Sequence, residues 1–394
     1  MLQADKKLKI AMLGHKRIPS REGGVEIVVE ELAVRMSKMG HDITCYNRGG
    51  HHVSGAKYDR QLLKEYKGVK LKKVFTIDKG GLAALTSSFF ASVRAAFSSF
   101  DVVHFHAEGP CAMLWLPKLF GKRCIATIHG LDHQRAKWGK FAGLYIKFGE
   151  KCAVRFADEI IVLSKNVQKY FRDNYNRETV YIPNGVNRNT VRAADLISEK
   201  FGLKKDGYIL FLGRLVPEKG ISYLIEAYNS LKLEKKLVIA GGASDTDSFA
   251  EELKAFANED VIFTDFVEGQ LLEELFSNAY LYVLPSDLEG MPLSLLEAMS
   301  YGNCVLTSDI PECTEVINDC GFTFSKGDVN HLREKLSFLC NNPEKVFEMK
   351  QKSAEYICNK YNWDIVVQET LMLYKNEKVT TSFKDEKNEN FVSK

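Results

Sequence analysis

The sequence predicts an α/β protein of two doubly wound domains facing a cleft. Three observations carry this. The chain has 394 residues, room for two ordinary hydrophobic cores. A strand, a glycine turn and a helix occur in succession twice, from Lys9 to Met39 and again from Tyr208 to Ser230. A third strand–loop–helix unit, residues 280–302, sets two carboxylates around a helix start. The expected division is a first domain over 1–186, a second over 187–360 and a last helix over 361–375. A charged tail, 376–394, is expected to be disordered.

The first domain opens with a strand over Lys9–Leu13. It enters a loop containing Arg17, Gly23 and Gly24, then a helix from Ile27 to Met39 stopped by Gly40. Such a loop can present amides to a phosphate, or be a plain tight turn. Further strands are expected over 41–46, 69–75, 101–106, 124–128, 158–163 and 179–182, with an apolar, small-residue helix over 81–100. His104 and His106 alternate along one strand, but no third ligand stands at a familiar spacing, so no metal site is expected. His129, with Asp132 beyond it, ends a strand where a doubly wound sheet places ligands. Arg135 to Phe156 mixes cations with aromatic residues, as a helix lying on a membrane surface does. A solvated basic face over an ordinary core face would read the same way.

The second domain begins with the apolar strand Tyr208–Leu212. It runs into a turn bearing Arg214 and Lys219 and then a helix over 221–230, a suitable clamp for a diphosphate. Strands follow over 236–240 and 261–263, and a helix over 270–278. The unit from Tyr280 to Gly302 organises the rest. A buried strand leads into the turn-rich loop Ser286–Gly290, Pro292 suits the first helical position, and the helix runs from Leu293. Unpaired amides from Gly290 through Met291 to Leu293 would attract a diphosphate or sugar hydroxyls. Glu289 precedes the helix and Glu297 lies inside it, so they should touch different parts of one extended ligand.

Glu289-x7-Glu297, with Gly290-Met291-Pro292-Leu293 between the carboxylates, resembles the donor-sugar motif of retaining GT-B glycosyltransferases of family 4, or group 1. Gly213-Arg214-Leu215…Lys219-Gly220, His129-Gly130, Gly23-Gly24-Val25-Glu26 and Asn184-Gly185 resemble further phrases of that family, spanning about residues 8–375. The first loop is similar to that of a bacterial polysaccharide branch that includes rhamnosyltransferases. The resemblance implies the GT-B fold, with the last helix crossing back to the first domain. It implies that Arg214 and Lys219 grip a donor pyrophosphate and that Glu289 and the following amides hold the sugar. Glu297 would bond the ribose, and the loop at Val267 would meet the nucleobase. His129 would face the reacting sugar, with Arg17 and Asp132 on the acceptor side. His129, Arg214, Lys219 and Glu289 are the expected catalytic groups. No cofactor is implied, only a nucleotide sugar, UDP-, dTDP- or GDP-linked, as substrate.

Composition narrows the setting. No stretch of about 18 apolar residues occurs, so no spanning helix is expected. The N-terminus is too short and strand-like for a signal peptide. Nine scattered cysteines without close pairing fit reduced thiols in a cytoplasmic protein. Net charge is +3, yet residues 1–186 hold 31 Lys and Arg against 17 Asp and Glu, while residues 187–394 hold 23 against 34. A basic first half suggests an anionic partner: a membrane surface, a lipid diphosphate or nucleic acid. It also fits simple complementarity between the halves. A glycan or polyprenyl-diphosphate-linked acceptor would explain the basic half, the aromatic helix and the lack of a spanning stretch, so the expected place is the cytoplasm, at the inner membrane face, with no nucleic acid as partner. The expected activity is therefore metal-independent glycosyl transfer. A sugar-nucleotide epimerase and a non-catalytic binding module are the alternatives.

Overall fold

The computed structural model describes residues 6–52, 55, 63–79, 81–134, 139–243 and 247–379. Strands β1 (Lys9–Leu13), β2 (Asp42–Arg48), β3 (Glu65–Tyr66), β4 (Val69–Val74), β5 (Val102–His106), β6 (Arg123–Ile128), β7 (Glu159–Val162) and β8 (Val180–Tyr181) form one sheet. Its order is β3-β4-β2-β1-β5-β6-β7-β8, and only the β3–β4 pair is antiparallel. Strands β9 (Tyr208–Leu212), β10 (Lys236–Ala240), β11 (Val261–Asp265), β12 (Leu281–Leu284), β13 (Val305–Ser308) and β14 (Phe322–Phe324) form a second. It is wholly parallel, in the order β11-β10-β9-β12-β13-β14. Helices cover both faces, so the central strands read as continuous apolar runs rather than alternating ones. Thus β12 is buried at all four positions and β5 at all five.

In each sheet the strand order reverses beside its first strand, at β1/β5 and at β9/β12. Ligands of doubly wound sheets bind at such switch points, beyond the carboxyl ends of the strands. The loops leaving β1, β6, β9 and β12 all reach the cleft between the two sheets.

The helix Trp363–Tyr374 closes the chain onto the first sheet. Val186 N–H donates to the Tyr361 carbonyl (2.7 Å), Arg123 Nε to the Leu373 carbonyl (2.8 Å), and Tyr374 Oη meets His104 Nδ1 (2.5 Å). Gly185 is required by this crossing, because a Cβ there would lie 2.5 Å from the Trp363 ring. Opposite charges also meet across the halves, at Arg21–Glu297 (3.1 Å) and Arg35–Asp364 (3.4 Å). Glu312 and Glu315 accept from Asn166 Nδ2 (2.9 Å) and Lys165 N–H (3.3 Å). Part of the charge asymmetry therefore is complementarity between the halves.

Several boundaries shift. The first long helix starts at Gly24, three residues before Ile27, and the helix expected over 81–100 ends at Ala96. The aromatic helix runs Lys140–Phe156; Arg135 and Trp138, counted in it from sequence, lie outside the described residues, as does the tail from 380. Pro292 is not the first helical residue. With ψ of 100° it is the extended residue before the helix Leu293–Ser300, the cap position.

Candidate active site

A cleft of about 930 Å³ separates the two sheets. From the first half it is lined by Gly23 and Gly24, by His129 and Asp132, and also by Lys16, Arg21 and Glu22. From the second half come Arg214, Lys219, Val267, Glu289, Gly290, Met291, Pro292, Leu293 and Glu297. Of the residues singled out from sequence, Arg17 alone stays out of this wall. Its Nε pairs with Glu22 (3.0 Å) and its Nη2 donates to the His51 carbonyl (2.8 Å), so the guanidinium braces the loop from behind. The expected acceptor-side residue Arg17 thus has its side chain behind the loop rather than on the cleft wall.

The halves touch where glycines allow it. A Cβ on Gly290 would lie 1.6 Å from the His129 carbonyl oxygen, and one on Gly130 would lie 3.0 Å from Gly290 Cα. A Cβ on Gly24 would stand 3.3 Å from Leu293 Cδ1. The glycines of both sequence phrases thus bring the first loop and the His129 turn against the start of the helix at Leu293.

The charged groups are already engaged with each other. Lys219 Nζ lies 2.5 Å from Glu289 Oε1, which also accepts from Ser286 Oγ (2.6 Å). Both members of the pair are nearly buried, so the field between them is strong. Glu297 receives Arg21 Nη1 at 3.1 Å from across the cleft. Burial raises the Glu297 carboxyl above its ordinary range, with Arg21 opposing the shift. Arg214 is near enough to Lys16 to lower its amine, though burial of Lys16 is the larger cause and Glu26 opposes both. Two cations and the positive end of the Leu293–Ser300 helix therefore face one volume.

His129 is held from behind. Its Nε2 is 3.1 Å from His106 Nδ1, and the His106 ring packs on His104 at 4.1 Å between centroids. His104 in turn meets Thr127 Oγ1 (2.7 Å) as well as Tyr374. Burial keeps both strand histidines neutral, His104 pushed down to about 3 and His106 well below its ordinary value. The His-x-His pattern is thus a brace from the crossing helix to the cleft.

Sequence reasoning missed Lys16, Arg21 and Glu22. The signal was there, since all three lie in the loop it singled out, but it carried no spacing rule. A smaller pocket of about 290 Å³ adjoins the cleft and shares Arg21, Leu272 and Glu297 with it.

Two family profiles match the chain, "Glycosyltransferase Family 4" over residues 22–190 and "Glycosyl transferases group 1" over residues 194–356. The chain belongs to the family 4, or group 1, glycosyltransferases. The α-maltose-1-phosphate synthase of Mycolicibacterium smegmatis is 26% identical to this glycosyltransferase, covering 93% of the chain and 99% of that relative. An N,N'-diacetylbacillosaminyl-diphospho-undecaprenol α-1,3-N-acetylgalactosaminyltransferase of Campylobacter jejuni is 27% identical, covering 57% of the chain and 62% of that relative. Among solved structures, Anabaena HepE in complex with UDP and glucose superposes with a TM-score of 0.78 at 16% identity, covering 94% of this chain and all of that one. The fold is therefore GT-B. Among the described residues no helix is long and apolar enough to cross a membrane.

Proposed function

We propose that this glycosyltransferase moves a sugar from a nucleotide-sugar donor to a sugar acceptor carried on a polyprenyl diphosphate, in building a cell-surface polysaccharide. The observation carrying this is that Arg214, Lys219, Glu289, Glu297 and the helix start at Leu293 line the same cleft as His129 and Gly24. Its volume suits a nucleotide sugar with part of an acceptor. The relative acting on an undecaprenol diphosphate acceptor supports the acceptor class.

The second half holds the donor. Glu297 takes the ribose hydroxyls, displacing Arg21, and the loop at Phe266 and Val267 meets the base. Arg214, Lys219 and the amides from Gly290 to Leu293 surround the diphosphate. They stabilise charge as the bond from the anomeric carbon to the phosphate oxygen breaks. Lys219 must turn from Glu289 toward the phosphate, which leaves Glu289 to accept from the sugar hydroxyls. The acceptor hydroxyl forms the new bond on the face the diphosphate leaves, and its proton passes to a departing phosphate oxygen. His129, fixed by His106, orients the reacting sugar. No metal is needed at the diphosphate in this scheme.

The helix Lys140–Phe156 offers a route for the lipid. Phe141 lines the cleft, and Phe141, Leu144 and Phe148 follow at helical spacing, exposed at 90%, 68% and 54%. An apolar stripe in a half rich in lysine and arginine fits an anionic membrane face.

Arg214→Ala and Glu297→Ala should each abolish transfer while the unfolding midpoint stays near that of the parent. The donor is found by testing UDP-, dTDP- and GDP-sugars for protection against thermal unfolding. Nucleotide release that requires the acceptor supports the reading. Release of nucleotide and an altered sugar without acceptor would mean an epimerase instead.

A further inference from the structure

Behind the acceptor-side turn lies a second group of side chains, none of which lines the cleft. Glu108 belongs to the short helix after β5, His133 to the 3₁₀ turn Asp132–Gln134, and Glu150 to the helix Lys140–Phe156. Both glutamate side chains are fully buried. One oxygen of each is engaged by protein donors. Glu108 Oε2 accepts the Asp132 N–H (2.8 Å). Glu150 Oε1 accepts from Lys147 Nζ (2.9 Å), Tyr170 Oη (3.0 Å) and Tyr175 Oη.

Neither of the other oxygens is paired with a nitrogen or hydroxyl donor among the described residues. Glu108 Oε1, Glu150 Oε2 and His133 Nδ1 are all buried without a hydrogen-bond partner. These three atoms lie within 4.8 Å of one another. His133 Nδ1 is 3.3 Å from Glu150 Oε2 and 3.7 Å from Glu108 Oε1. Tetrahedral ligands at bonds of about 2.1 Å stand about 3.4 Å apart, so two measured separations match such a site. The outer oxygens are held by protein donors while the inner ones converge, the arrangement of ligands oriented by a second layer of bonds. Charge points the same way. Among the described residues Lys147 is the cation that bonds this pair of buried carboxylates, and an uncompensated buried negative charge is costly.

We propose that Glu108, Glu150 and His133 bind one divalent transition-metal ion of the zinc type, which pins the His129–Asp132 turn to the helix Lys140–Phe156. Two carboxylate oxygens and an imidazole nitrogen leave a fourth position for water. The ion is structural and sits apart from the diphosphate, so it leaves the transfer chemistry as described. It fixes the turn that carries the acceptor-side residues. The competing explanation is a proton shared between the two glutamates, since burial, then the Glu150 side chain and the charge of Asp132, push the Glu108 carboxyl up to about 10.

The test uses the full chain, stripped with chelator and titrated calorimetrically with zinc and, by absorption, with cobalt(II). The expected result is one ion per chain, tetrahedral d–d absorption without a thiolate charge-transfer band, and a higher unfolding midpoint. His133→Ala and Glu150→Gln should each weaken binding at least tenfold. His133→Ala, on a surface turn, remains informative if Glu150→Gln fails to fold. Absence of stoichiometric binding, binding unchanged in His133→Ala, or a thiolate band reporting cysteine ligands would each overturn the proposal. The first of these would leave the shared proton as the account.

Discussion

Gly290→Ala is the sharpest probe of the contact between the halves. The added Cβ would sit 1.6 Å from the His129 carbonyl oxygen and 2.6 Å from its carbon. Ordinary contact returns only when the two backbones separate by about 1.5–2 Å, because both neighbours are main chain and cannot turn aside. Gly290 does not have a positive φ, so alanine brings no strain of its own. Neither sheet's core is disturbed, and the penalty falls on closure alone. Displacing the His129 turn from the anomeric carbon by more than 1 Å should lower kcat/KM by about 10²-fold or more. The unfolding midpoint should stay within a few degrees of the parent. Steady-state kinetics and calorimetry on Gly290→Ala, beside Gly143→Ala, decide it. Gly143 lies in a helix with nothing within 4 Å of its Cβ position, and alanine there should be neutral or slightly stabilising. A kcat/KM within threefold of wild type for Gly290→Ala would refute the claim that closure at this contact positions the reacting groups.

Other expectations follow from single contacts. Arg21→Ala removes the partner that occupies Glu297; because Arg21 is 43% exposed the pair is worth no more than about 1 kcal/mol, so donor KM should fall by up to about fivefold. A rise in KM would instead make Arg21 a donor ligand. Since the Glu297 carboxyl is raised by burial, donor KM should climb on acidification with a midpoint above the ordinary 4.5, and Glu297→Gln should remove that dependence. Stability should also fall in acid. His15, pushed down to about 4 by burial, and His104, at about 3, stay neutral in the folded chain, while the unfolded chain takes up protons near 6.5. Folding therefore weakens as pH drops through 6.5, by about 1 kcal/mol per histidine over the first unit. Denaturant midpoints at pH 7.5 and 5.5 measure this, and His104→Gln should flatten the slope if the assignment holds.

Local pattern made much of the site legible. Strands β1, β9 and β10 and the helix Gln270–Asn278 fall where apolar runs and turn residues placed them, because each is a short buried segment bounded by glycine or polar residues. Arg214, Lys219 and Glu289 stood out because each sits in the turn between a strand and a helix, and Glu297 because it lies one turn inside the helix that follows. Arg17 stood out by its place in the glycine loop, but proximity in sequence says nothing about which way a long side chain turns, and Glu22 with the His51 carbonyl turned it inward.

By itself the sequence determined the class of fold, two strand–turn–helix halves, and the cations and carboxylates at their turns, since these depend on periodicity and on residues a few positions apart. Only the tertiary structure decided which groups meet. Lys219 with Glu289, Arg21 with Glu297, His129 against Gly290, and the gathering of Glu108, His133 and Glu150 join residues 17 to 276 positions apart. Such pairings follow from how two sheets pack and close, and no local rule in the chain encodes that geometry.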